Sequence, residues 1–162
     1  MKIAILSDSH EHRDNLSKAI QLANQSWCEQ LLFAGDLMAP GEGTAALKTF
    51  AWAVHTVLGN NDGDVYKLML KSAGTNITIH WDIYETTIDG VKIVMNHYPQ
   101  IIWRAAKSWD YDLCIYGHDH LYHEEIVWHT LLVNPGSILW DRDPASFVIY
   151  DTQTKSVAKI IL

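Results

Sequence analysis

The sequence predicts an α/β fold in which two mixed β-sheets pack face to face as a sandwich flanked by helices. Three observations lead there. Short apolar runs alternate with helical periodicity through the first half, the second half is richer in strand patterns, and no linker, internal repeat or low-complexity stretch divides the two. With 162 residues, 48% of them hydrophobic, the chain is long enough for one substantial core, and it reads as a single domain over residues 1–162.

The elements follow in order. Residues 3–6 are a short apolar run, and Leu16, Ala19, Ile20, Ala23 and Trp27 then recur at helical spacing, which gives strand, loop and helix. A second buried strand is predicted at 31–34 before Gly35-Asp36, a helix at 44–50, and a third strand at 55–58 ending at Gly59. Such alternation implies a parallel sheet with helices on its face, whose ligands belong at the carboxyl ends of the strands. After a short helix around 65–71 come strands at 77–79, 84–88 and 91–95, the last two joined by Asp89-Gly90, a two-residue hairpin signal. A helix near 101–108 precedes a buried strand at 113–116. Strands at 125–127, 131–133, 147–150 and 158–161 complete the chain.

Composition narrows the classes of function. A net charge of -7, from 12 Lys+Arg against 19 Asp+Glu, lacks the basic footprint of a protein that grips phosphate backbones, so long nucleic acid is disfavoured as a partner. The same acidity suits bound cations, which would reverse the local field for a small anionic substrate. Cys28 and Cys114 have no C-x-x-C spacing, which fits a reducing compartment. The opening apolar run is too short for a signal peptide, and no later stretch is long enough to span a membrane, so a cytoplasmic location without membrane association is expected. Seven tryptophans are read as core or interface surface, and homo-oligomerisation is compatible with them.

Five polar clusters follow the predicted strands: Asp8-Ser9-His10, Gly35-Asp36, Gly59-Asn60-Asn61-Asp62, Asn96-His97 and Gly117-His118-Asp119-His120. Asp8 and His10 lie two apart, a spacing that aims both side chains to one side of an extended backbone with Ser9 facing away. Asp36 follows a glycine at the turn and offers two oxygens that can bridge two cations. Asn60 supplies a neutral amide oxygen, and His118 and His120 place two imidazoles at i and i+2. Each cluster alone has a plainer reading: a helix cap at Asp8 or Ser9, a turn aspartate at 36, Asn-rich turn chemistry at 59–62, a hydrogen-bonded strand-end histidine at 97. Five independent structural excuses in succession are a poor explanation, and the set points to one metal site built from mixed oxygen and nitrogen donors.

In this order the residues resemble the calcineurin-like metallophosphoesterase superfamily, whose blocks run D-x-H, G-D, G-N-x-D or G-N-x-H, a lone histidine, and G-H-x-H. Asn134-Pro135-Gly136-Ser137 and the short length look most like its small single-domain phosphodiesterase branch. The resemblance implies an αββα sandwich and a binuclear centre. In it Asp8, His10, Asp36 and His120 bind one divalent ion, Asp36, Asn60, His97 and His118 bind the other, and Asp36 bridges. It implies hydrolysis of a small phosphodiester, or a monoester, by a metal-bridging hydroxide, with manganese first among the cations and iron, zinc or nickel as alternatives. Asn60 and Asn61 are expected near the phosphate. Asn61 stands where many members carry histidine, and an amide can donate a hydrogen bond but cannot act as a general acid. His97-Tyr98-Pro99 replaces the commoner His-Gly, a change expected to narrow the pocket and alter substrate preference. Asp62 is expected to orient its neighbours and Asp119 to point away, while Arg13 and Arg104 read as solvated. The competing reading is a catalytically weak metal-binding scaffold of the same fold, as in a retromer subunit that resembles the small phosphodiesterases. A nuclease of the superfamily would need a basic face that this chain lacks.

Overall fold

The computed structural model describes residues 1–38 and 40–162. Strands β1 (Lys2–Leu6), β2 (Gln30–Phe33), β3 (Ala53–Thr56) and β4 (Ile77–Ile79) run parallel in one sheet. They are joined by α1 (Arg13–Gln25), α2 (Glu42–Leu47) and α3 (Val65–Ser72). The chain then enters a second sheet through β5 (Ile83–Ile88) and β6 (Val91–Asn96), passes α4 (Pro99–Ala106), and continues through β7 (Leu113–Ile115), β8 (Tyr122–Val127) and β9 (Thr130–Pro135). It returns to the first sheet as β10 (Ser146–Asp151), antiparallel beside β1, and β11 (Ser156–Ile161), antiparallel beside β10 at the sheet edge. The sheet orders are β11-β10-β1-β2-β3-β4 and β5-β6-β7-β9-β8.

Alternation within the strands makes this a four-layer stack. Ala4, Leu6, Leu31 and Phe33 face one apolar cluster with Leu16, Ala19, Ile20 and Ala23 of α1. Their neighbours Ile3, Ile5, Leu32 and Ala34 face the other sheet, where Ile93, Met95, Leu113, Ile115 and Val133 meet them. Val94, Cys114 and Leu132 point outward from the second sheet against Ile102 and Ala106 of α4. Strands buried on both faces read as continuous apolar runs, which is why β1, β2 and β7 stand out in the sequence. The Asp89-Gly90 turn joins β5 to β6 with both residues at positive φ, as a tight hairpin of this type requires.

Several boundaries differ from expectation. β2 and β3 begin and end earlier than 31–34 and 55–58, because Ala34 and Val57 stay fully buried beneath the loops after the ladders have ended. The helix predicted at 44–50 covers Glu42–Leu47, and the one near 101–108 starts at Pro99, a residue whose missing N–H suits a helix start. Trp27 does not continue the buried face of α1. The helix ends at Gln25, Trp27 turns to φ 61°, and the residue is 83% exposed. No tryptophan among the described residues is fully buried, and six of the seven (27, 52, 81, 109, 128 and 140) are exposed. Trp27, Trp52, Trp109 and Trp128 precede β2, β3, β7 and β9, so they sit at the pole where those strands start. Among the described residues, no helix is long and apolar enough to cross a membrane.

Candidate metal centre

All the predicted donors lie at the other pole, on loops leaving the carboxyl ends of parallel strands. Asp8 and His10 follow β1, Asp36 follows β2, Asn60 and Asn61 follow β3, His97 follows β6, and His118 and His120 follow β7. The backbone bends sharply there. Asp8, His10, Asp36, His118 and His120 all take positive φ, between 40° and 74°, a conformation that side-chain-bearing residues rarely adopt outside sites that require it. This corrects the extended Asp8-Ser9-His10 expected from the spacing: the two donors converge through a left-handed turn, and Ser9 is buried. Nor does Asp8 or Ser9 cap α1, since His12 does so by accepting the Asn15 N–H.

Two glycines admit the donors by close approach. A methyl group at Gly59 would overlap Asp36 Oδ1, and one at Gly117 would overlap Ser7 Oγ and crowd Asp8 Oδ2. Only hydrogen fits at either position.

The donors gather into two overlapping sets, Asp8, His10 and His120 on one side and Asp8, Asp36 and His97 on the other. Asp36 Oδ2 lies 3.5 Å from Nε2 of His10 and 3.5 Å from Nε2 of His97, between the two sides. Asn60 Oδ1 lies 3.1 Å from His97 Nε2 and 2.9 Å from His118 Nδ1, which places Asn60 and His118 beside the second group. The family pattern gives Asp8 to one side only, whereas here Asp8 reaches both. The arrangement is a binuclear site.

Its electrostatics call for cations. Asp8 is fully buried and its Oδ1 has no hydrogen-bond partner, with Nε2 of His10 and His120 at 3.8 and 3.4 Å. Burial alone would raise the Asp8 carboxyl, but those two imidazoles hold it well below the usual carboxylate range. Asp8 in turn pushes His120 up to about 9, against the effect of burial and with help from Asp141. Nε2 of His10 and Nε2 of His120 are 3.0 Å apart, a distance at which two bare lone pairs repel unless a proton or a cation lies between them. A buried orphaned carboxylate oxygen, inward-facing imidazoles and an amide oxygen are donors that suit divalent transition metals.

Further residues hold the donors in place. His97 is fully buried and gives its Nδ1–H to the Ala34 carbonyl at 2.8 Å, which fixes the tautomer with the Nε2 lone pair facing the cluster. Asp62 accepts three backbone N–H groups, from Asp36, Met38 and Gly59 at 2.7–2.9 Å, and so ties the β2 and β3 loops together as its expected orienting role requires. Asn61 was expected beside a phosphate. Its backbone and side-chain amides both donate to Asp36, at 2.8 Å each. The Asn134-Pro135-Gly136-Ser137 segment acts as a clasp: Asn134 Nδ2 donates to the Gly117 carbonyl, and Ser137 Oγ donates to the Asp8 carbonyl at 2.9 Å. Sequence reasoning missed Asp141, whose carboxylate lies 2.5 Å from His120 Nδ1. No local spacing links positions 120 and 141. The side chains of Arg13 and Glu42 meet each other at the surface, both exposed.

Comparisons with known proteins agree with this geometry. The profile of the calcineurin-like phosphoesterase superfamily domain matches residues 1–155. The phosphodiesterase MJ0936 of Methanocaldococcus jannaschii is 33% identical, over 100% of this chain and 99% of the relative. The phosphodiesterase YfcE of Escherichia coli strain K12 is 25% identical, over 97% of this chain and 91% of its own. The solved structure of a novel archaeal phosphodiesterase superimposes with a TM-score of 0.91 at 32% identity over 100% of both chains. Vps29 of Chaetomium thermophilum gives 0.73 at 15% identity, covering 100% of this chain and 96% of its own, a likeness of fold alone.

Proposed function

The chain belongs to the calcineurin-like phosphoesterase superfamily, and from that premise we propose that it is a phosphodiesterase, with a small diester as substrate and manganese as its working cation. The binuclear donor arrangement within this fold makes it a metal-dependent phosphoesterase. Preference for a diester over a monoester is supported by the phosphodiesterases that align along nearly their whole length. The observation that carries the reading is the placement of Asp36 Oδ2 at 3.5 Å from an imidazole of each side, which suits a bridging carboxylate.

In this reading Asp8, His10, Asp36 and His120 hold one ion, and Asp36, Asn60, His97 and His118 hold the other. Bound divalent ions supply charge neutralisation for a phosphoryl group and activation of water near neutral pH. The protein fixes the donors: Ala34 and Asp141 set imidazole tautomers, Asn61 and Asp62 brace the Asp36 loop, and the clasp holds Asp8. Asn60 and Asn61 stand beside the phosphate as hydrogen-bonding groups, and neither can protonate a leaving alkoxide. The acidic composition, net charge -7, favours a small substrate over long nucleic acid. Cys28 and Cys114 are buried, and burial raises their thiols to about 11 and about 12, inert free cysteines that suit a cytoplasmic location.

The test is manganese-dependent cleavage of a chromogenic phosphodiester by the metal-loaded protein and by Asp36→Asn. Turnover in the wild type and its loss in the variant are expected. Wild-type rates in Asp36→Asn refute the reading. Two bound ions without turnover on any ester favour a scaffold of the same fold.

A further inference from the structure

The four imidazoles of the centre are held from behind by unlike partners. His97 Nδ1 donates to a neutral carbonyl, that of Ala34, at 2.8 Å. His10 Nδ1 faces the thioether of Met38 at 3.1 Å, and His118 presents Nδ1 to the cluster itself, towards Asn60 Oδ1. His120 alone is backed by a carboxylate, with Asp141 Oδ2 2.5 Å from Nδ1 while Nε2 faces His10 and Asp8. An imidazole whose far N–H is hydrogen-bonded to a carboxylate is fixed in tautomer and orientation and is a stronger electron-pair donor. Asp141 lies on the opposite side of the ring from Nε2, so it acts through His120 and not as a ligand.

The loop that delivers Asp141 is fastened at several points. Leu139 N–H donates to the Asp8 carbonyl and to Ser137 Oγ, Ile138 N–H donates to the Ser7 carbonyl, and Asn15 Nδ2 donates to the Ile138 carbonyl. Arg142, next in the chain, reaches the Asp119 carbonyl at 3.4 Å. The carboxylate is therefore carried on backbone pinned to the same Asp8 that faces His120.

We propose that Asp141 is a positioning residue that makes the Asp8, His10 and His120 side the tighter of the two cation sites, so that it fills first. The inference rests on the ligand assignment proposed above. It predicts asymmetry within that assignment: one side is reinforced by a carboxylate and the other by neutral groups only.

The experiment titrates manganese into metal-free protein by calorimetry. Wild type is expected to show two unequal sites. Asp141→Ala should weaken the tighter one by about 10–100-fold and leave the weaker one within about twofold, and Asp141→Glu should recover part of the loss. A second readout needs no metal: the far-downfield imidazole proton of His120 in the NMR spectrum of the metal-free protein should vanish in Asp141→Ala and return in Asp141→Glu. Thermal denaturation shows whether the variants remain folded. An unchanged tight site in folded Asp141→Ala, or equal weakening of both sites, overturns the proposal while the phosphodiesterase reading stands. Failure of the wild type to take up any cation removes the ligand assignment itself.

Discussion

Asn61 grips both carboxylate oxygens of Asp36: its backbone N–H donates to Oδ1 and its side-chain amide to Oδ2, each at 2.8 Å. The residue that replaces the family's common histidine thus braces the proposed bridging ligand. Asn61→Ala keeps the backbone bond and loses the side-chain bond to a charged acceptor, worth about 1.5–3 kcal/mol. Turnover should fall by about 10–100-fold, measured as kcat on an aryl phosphodiester at saturating manganese. Because an amide cannot protonate a leaving group, wild-type rates across a series of aryl diesters should drop steeply as the pKa of the leaving phenol rises. A flat series would show that another group donates that proton.

Asp62 satisfies three backbone N–H groups from two loops. Asp62→Ala leaves those donors without their acceptor in a partly buried setting, at a cost of about 1–3 kcal/mol. Urea denaturation of metal-free protein should show the loss, with weaker manganese binding alongside because Asp36 and Gly59 move.

Gly59→Ala tests close approach rather than hydrogen bonding. The added methyl overlaps Asp36 Oδ1, so the loop must shift, at a cost of about 1–3 kcal/mol. Metal content after dialysis should fall while the circular dichroism spectrum is retained. Gly63→Ala, where a methyl meets nothing within 4 Å, is the matched control and should be close to neutral in both readouts.

A histidine pair outside the centre sets an acid response. His55 Nδ1 lies 2.9 Å from His80 Nε2, and the Tyr84 ring stacks on both imidazoles. Burial, reinforced by the neighbouring His80, pushes His55 down to about 4. The folded chain therefore keeps His55 neutral over a range in which the unfolded chain, titrating near about 6.5, binds a proton. Stability should decline as pH falls from about 6.5 to about 4, by about 2–3 kcal/mol from this residue. Denaturant titrations at several pH values, with His55→Gln showing a shallower decline, check the sign and the size.

The residues that meet at this pole were legible in the sequence because each rides on a local signal: a doubly buried strand, then glycine, acid, amide or imidazole at its end. Asp8, His10, Asp36, Asn60, His97, His118 and His120 could all be named before any fold was known. What holds them was not legible, since it depends on contacts between distant positions. Asp141 backs His120 only because the β9–β10 loop folds over the β1 loop, and the reason for the Asn134 to Ser137 motif emerges only when its partners, Gly117 and Asp8, are seen beside it. Apolar patterning placed most strands, but it overran β2 and β3 because residues under the site are buried without being paired. It also overran α1, where Trp27 keeps the helical spacing and sits exposed beyond the helix end.

Asp8, His10, Asp36 and Asn60 leave one sheet, while His97, His118 and His120 leave the other. In the proposed ligand assignment neither sheet supplies every ligand of either ion, so an ion seated between them would rivet the two halves of the sandwich at one seam. Chelation should consequently loosen the whole molecule, with a lower melting temperature and faster amide exchange along β6 and β7, the strands whose loops lend residues to the seam.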